Sequence, residues 1–156
     1  MLYVQFTHSQ RQEILHQGLL NAFRFFGTSP EEIVVDNMLT AVTERCGRVI
    51  RFNDAFLDFL RPFKIVPVAC NIRSPQEKGK IERSIQYIRQ NFWPARTFTD
   101  LMDVQNQVNQ WRDTIANVRI QKTTDEKPQD RFTKVIPRPL PDGLPDCRET
   151  ETVLVH

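Results

Sequence analysis

Segments whose apolar residues recur at every second position alternate along this chain with segments where they recur every three or four. A chain patterned in that way folds as strands layered on helices, an α/β architecture. Leu2, Val4 and Phe6 alternate with Tyr3 and Gln5, which predicts an opening strand. Ser9 and Gln12 have capping-box spacing, and Leu15, Leu19, Ala22, Phe23 and Phe26 make a helical stripe that Gly27 ends. Ile33 to Val35 reads as a second strand and Arg48 to Phe52 as a short third. Phe56, Leu57, Phe59, Leu60 and Phe63 predict a brief buried helix stopping near Pro62. Ile65 to Cys70 is another strand, on an edge or at a bulge because Pro67 has no N–H to contribute.

A polar loop, NIRSPQEKG, leads to a helix from about Lys80, and its Ile81, Ile85, Ile88 and Phe92 form one stripe to be buried against a sheet. Leu101, Val104, Val108, Trp111, Ile115 and Val118 form a last stripe on a single helix. Packing on the sheet explains it, with a partner helix as the other option. Phe92 and Trp93 beside Arg89 and Arg96 read as aromatic core with solvated Arg tips, or as a stacking surface for DNA. Pro137, Pro139, Pro141 and Pro145 make RPLPDGLPD a stiff extended linker.

Composition excludes several classes. No apolar run approaches the roughly 20 residues of a membrane helix, so no membrane partner is expected. The start, MLYVQFTHSQ, lacks the layout of a signal peptide. Cys46, Cys70 and Cys147 are scattered and odd in number, which argues for reduced thiols in the cytoplasm and against a disulfide framework or zinc site. A net charge of +2 says nothing about polyanions, but its distribution does. Between Arg73 and Arg96 lie six basic residues, Arg73, Lys78, Lys80, Arg83, Arg89 and Arg96, against Glu77 and Glu82. Taken alone, this stretch or the one from Arg45 to Lys64 reads as a solvated face; flanking one strand, the two together point weakly towards a polyanion. Beyond Thr123 the balance turns acidic.

Two carboxylates stand out. In EEIVVDNM an apolar run stops on Asp36, either a solvated strand terminus or a charge placed at the lip of a sheet. Glu82 sits about 100° round the helix from Ile81, on the shoulder of the stripe. Carboxylates on separate rigid elements suit Mg²⁺, which keeps waters and takes phosphate oxygens. Two such ions ~3.5–4 Å apart serve phosphoryl transfer. Glu77, in the loop, is the rival to Glu82.

VVDNMLTAV, SPQEKGKIERSIQYIRQNFWPARTFTDL, NQWRDTIANVRIQKTT and KPQDRF, in this order, closely resemble the IstA-type insertion-sequence transposases over nearly the whole chain. Gln121-Lys122, where relatives tend to carry His-Gly, is a local departure. The resemblance implies an incomplete RNase H-like (retroviral-integrase-like) core with a mixed sheet, plus a C-terminal helix and a Pro-rich linker. Residues 1–96 would be the partial catalytic core, 97–122 a helical extension, and 123–156 the linker with the start of a truncated C-terminal β domain. The family binds two Mg²⁺ with Asp, Asp and Glu. Asp36 matches the second aspartate and Glu82 the glutamate, both as catalytic and metal residues.

Nothing before Met1 matches the first aspartate, so a chain truncated at both ends, holding at most one Mg²⁺ and inactive by itself, is expected. The implied reaction is Mg²⁺-dependent DNA strand transfer in transposition. Lys78, Lys80, Arg83, Arg73 and Arg89 would contact DNA, at transposon ends and target. The implied protein partners are other transposase chains and an IstB-type ATPase helper. A non-catalytic remnant that only binds DNA or oligomerises is the competing class, and an unrelated RNase H-like nuclease a third.

Overall fold

The computed structural model describes residues 1–35, 42–46, 49–69, 75–145 and 147, with the backbone alone at 43–46, 49–50 and 75–78. The chain forms two compact units, Met1–His8 with Cys70–Pro137, and Ser9–Ala69 with Arg138–His156.

The Ser9–Ala69 unit begins with α1, Gln12–Phe26. Gly27 closes that helix in the left-handed region at φ 66°, as expected, and its N–H reaches back to the Arg24 carbonyl. The expected capping box does not form. Arg11 is the N-cap without a side-chain bond, and the Ser9 hydroxyl oxygen accepts the Arg11 N–H at 3.1 Å instead. β1, Glu32–Val35, pairs in parallel with β4, Val66–Ala69, and Val35 stands opposite Ala69. Pro67 faces Ile33 in this two-stranded ladder, where either strand is an edge among the described residues.

Between them run β2, Val42–Cys46, and β3, Val49–Phe52, an antiparallel pair of which the period-two pattern revealed only β3. The four described strands thus make two separate pairs, not the single mixed sheet expected. α2, Asp54–Leu60, is capped by Asn53, whose side-chain oxygen accepts the Ala55 N–H at 2.9 Å. The helix ends at Leu60, near Pro62 as expected, and the chain continues as a 3₁₀ turn, Arg61–Phe63, where the missing Pro62 N–H costs nothing.

Phe56, Phe59, Leu60 and Phe63 pack with Leu20, Phe23, Val35 and Ile65 into one apolar core. Phe56 is wholly buried, worth about 1.5–3 kcal/mol relative to exposure. The proline-rich 137–145 stretch is extended and docked on this unit. Leu140 and Leu144 pack on the core, and Arg138 donates to the Pro30, Phe63 and Lys64 carbonyls.

The other unit is helical. α3 spans Pro75–Asn91, so the polar stretch read as a loop is already helix from Pro75 onward. Proline at a first helical position gives up only an N–H that has no partner there anyway. α4, Leu101–Trp111, is capped by Asp100 and runs into a π-turn, Arg112–Ala116, then a short α5, Pro128–Phe132. The π-turn breaks the expected stripe. Val104, Val108 and Trp111 are buried, but the wider turn carries Ile115 out to 48% exposure and turns Ala116 in at 4%.

Leu2, Val4 and Phe6 do point into this second core, beside Phe92, Tyr87 and Ile88. They form no strand, however. The Gln105 amide accepts the Phe6 N–H at 2.8 Å and donates to the Val4 carbonyl at 3.0 Å. Side-chain amides thereby do the work of a ladder. Both α3 and α4 pack on this segment and on each other through aromatic rings, and among the described residues of this unit there is no sheet for them to cover.

Candidate nucleic-acid interface

Asp36 is next in sequence to Val35, the last described residue of β1, but Asp36 itself and Arg73 lie outside the described residues. So does the expected closeness of Asp36 to Glu82. Glu77 belongs to α3 and not to a loop, and it shares with Lys78 a described backbone but no described side chain. Glu82, Lys80, Arg83 and Arg89 all lie on α3 with exposed side chains. Among the described residues no group of three or more His, Cys, Asp and Glu side chains converges to hold a metal ion.

The Ile81–Phe92 stripe is buried only at its end. Phe92 is fully buried while Ile85 is 46% exposed. The half of α3 that carries Lys80 and Arg83 is consequently wet, and the half beyond Tyr87 anchors it. Tyr87 and Phe92 lie 5.4 and 5.5 Å from the Trp111 ring. Of the paired readings for the aromatics, core holds for Phe92, over which Arg96 sits at 4.8 Å. Trp93, 48% exposed, packs its ring on Phe6 and Phe98.

α3 lines one side of a cleft of about 780 Å³ through Lys80, Arg83, Ser84 and Tyr87. Its base is Ala116 and Asn117, and the rest of its lining comes from Met1, Leu2, Arg119 to Thr124, Pro128 and Arg131. Two of the sequence-expected DNA contacts, Lys80 and Arg83, are thus brought together with three cations that local charge did not single out, Arg119, Lys122 and Arg131. Arg119 is held in place by Tyr87, its guanidinium 3.6 Å from the ring centroid. Arg83 donates through Nε to the Gly79 carbonyl at 2.8 Å. A tight hairpin presents Lys122, Thr123 and Thr124. Gln121 pairs with Glu126, and the Asp125 N–H bonds the Gln121 carbonyl at 2.8 Å.

Glu126 points its charge elsewhere. It pairs with Lys134 at 2.6 Å, and that bond above all holds its carboxyl below the usual range. Among the described residues no carboxylate lines the cleft, and none of its five basic side chains sits in an ion pair. Such a surface attracts anions. No helix among the described residues is long and apolar enough to cross a membrane.

No family model matches the chain. It is 35% identical over 141 residues to a transposase of insertion sequence element IS5376 from Geobacillus stearothermophilus, covering 90% of this chain and 35% of that protein. With the transposase for insertion sequence element IS21 of Pseudomonas aeruginosa the identity is 33% over 136 residues, 85% of this chain and 35% of the relative. The IS640 transposase of Shigella sonnei is 32% identical over 120 residues, 76% of this chain and 38% of the other.

The resemblance to IstA-type insertion-sequence transposases is therefore shown, and the chain spans about a third of the length of these curated relatives. Among solved structures, a chain of the simian T-cell lymphotropic virus intasome in complex with PP2A regulatory subunit B56 gamma superposes with a TM-score of 0.52. The match covers 96% of this chain and 48% of that one at 16% identity, a likeness of fold alone.

Proposed function

We propose that this chain, a relative of the insertion-sequence transposases, is part of the catalytic region of an enzyme that joins DNA strands in transposition. The observation that carries this is the 35% identity to a transposase over 141 residues, reaching through both candidate carboxylates and the basic helix α3. Residues 1–96 would contribute a partial RNase H-like core, 97–122 a helical extension, and 123–156 the linker and the start of a further domain. Asp36 at the end of β1 and Glu82 on α3 are the two carboxylates that would hold Mg²⁺, which in such enzymes supports attack of a 3′-hydroxyl on a phosphodiester. Lys78, Lys80, Arg83, Arg73 and Arg89 would hold the DNA backbone beside them.

DNA ends and target DNA are the proposed substrates, with other transposase chains and an IstB-type ATPase as protein partners, in the cytoplasm. The competing view of a merely DNA-binding or oligomerising remnant is not favoured, since the relatives are transposases. Duplex binding by the 156-residue chain tests the proposal. A labelled duplex should be retained at low salt and released steeply as salt rises, because condensed counterions are displaced at each phosphate contact. A chain that leaves duplex DNA free at 50 mM salt, about the low end of the range where this effect is read, would overturn it.

A further inference from the structure

Beyond α3, the cleft has a built far wall. Arg119 is stacked on Tyr87, and the Gln121–Glu126 hairpin and α5 set Lys122 and Arg131 along the same opening. Five basic side chains, with no carboxylate lining the cleft among the described residues, and hydroxyls from Ser84, Thr123 and Thr124 make a surface suited to a chain of phosphates. We infer that this cleft is a second DNA-backbone site, in which Arg119, Lys122 and Arg131 take the phosphodiester next to the part of the strand held by Lys80 and Arg83. The inference rests on the DNA-joining function proposed above and extends it to a segment whose own sequence is charge-balanced.

Three features give the site its shape. The base is rigid, because Asn117 is only 3% exposed and all its backbone and side-chain polar groups are engaged. Tyr87 fixes the Arg119 guanidinium, so ordering it costs little on binding. Glu126, which closes the hairpin, is drawn off by Lys134. Duplex and single-stranded DNA share this backbone chemistry. A backbone site takes both, with the log–log salt slope set by the number of phosphates neutralised.

The test compares the full 156-residue chain with Lys122→Glu/Arg131→Glu and with Lys127→Glu, using a labelled 20-base-pair duplex and its single strand, over a salt series. Lys122, Arg131 and Lys127 are all exposed, and Lys127 does not line the cleft. Circular dichroism confirms folding of each variant. A separate Arg119→Lys variant keeps the charge but loses the planar stack on Tyr87.

The double variant should bind duplex about tenfold or more weakly at 100 mM salt, with the salt slope lower by about 2, one for each lost phosphate contact. Lys127→Glu should stay within about twofold of the unsubstituted chain, as expected for a charge off the path. Arg119→Lys should weaken binding by about threefold, in keeping with a loss of pre-organisation and not of charge. If the unsubstituted chain binds and the double variant binds equally well with the same slope, the cleft is not the site, and the transposase proposal stands. An equal loss in Lys127→Glu would also overturn the cleft, reducing it to net charge. No DNA binding by the unsubstituted chain overturns both together.

Discussion

The side chain of Asn117 holds both backbone polar groups of Leu2: its Oδ1 accepts the Leu2 N–H at 2.7 Å, and its Nδ2 donates to the Leu2 carbonyl at 3.0 Å. Across 115 positions of sequence, one amide imitates the pairing that a neighbouring strand would give. Asn117 can do this because the π-turn before it ends there, its own N–H bonding the Arg112 carbonyl at 2.9 Å while Gln129 donates to its carbonyl at 3.0 Å.

Asn117→Ala should therefore destabilise the protein by about 2 kcal/mol, since it strips two buried bonds and leaves Leu2 polar groups unpaired. Urea unfolding measures the loss. Hydrogen exchange should show Leu2 losing protection in the variant. Unchanged protection there would mean that the amide pair does not hold the segment.

The π-turn makes a paired prediction. Ile115 is exposed and Ala116 buried, the reverse of a continuous helical stripe. Ile115→Ala should shift stability by no more than about 0.5 kcal/mol, as for most surface changes. Ala116→Leu should cost about 1–3 kcal/mol by overpacking against Trp111 and its neighbours. The opposite order in thermal melts would restore the unbroken helix.

His16 gives a pH dependence. Its ring stacks on Phe59 at 4.6 Å and lies 6.0 Å from Phe56, and its buried Nε2 has no hydrogen-bond partner among the described residues. Desolvation lowers its pKa below the ordinary 6.5, with Glu13 opposing in part. The unfolded chain thus binds the proton more readily than the folded one. Stability conferred by neutral His16 is complete above pH 6.5 and declines as pH falls below it towards the depressed folded value. Urea midpoints at pH 7.5 and 5.5, about one unit either side of the ordinary histidine pKa, should differ more in the native chain than in His16→Phe. Equal differences would exclude His16 as the source.

Arg138 ties the proline-rich stretch down. Its Nη1 donates to the Pro30 carbonyl at 2.6 Å and Nη2 to Phe63 and Lys64 at 3.3 and 3.4 Å, while its N–H bonds Thr28 Oγ1 at 2.7 Å. Arg138→Ala should cost about 2 kcal/mol, the usual range for hydrogen bonds made by a charged group. It should also speed protease cleavage within residues 137–145. Cleavage at the native rate would show that Leu140 and Leu144 suffice to hold the stretch.

Local chemistry alone was enough for several elements. Gly27 ends α1 because only a residue free of Cβ enters the left-handed region at little cost. Val104, Val108 and Trp111 are buried because period and polarity act over neighbouring residues. The alternation in Leu2, Val4 and Phe6 likewise settled which side chains go inside.

What their backbones bond to was settled only by tertiary structure, because the partners, Asn117 and Gln105, arrive from about a hundred residues away and carry no local strand signal. The π-turn is of the same kind, since its slip swaps Ile115 for Ala116 without leaving a mark in a three-to-four periodicity. Lys80 and Arg83 were legible as a basic run; Arg119, Lys122 and Arg131 were not, being interspersed in sequence with Asp125, Glu126 and Asp130. Folding sorts those charges, sending Glu126 to Lys134 and leaving the cations along the cleft. Electrostatic potential depends on distance in space, and the sequence specifies only distance along the chain.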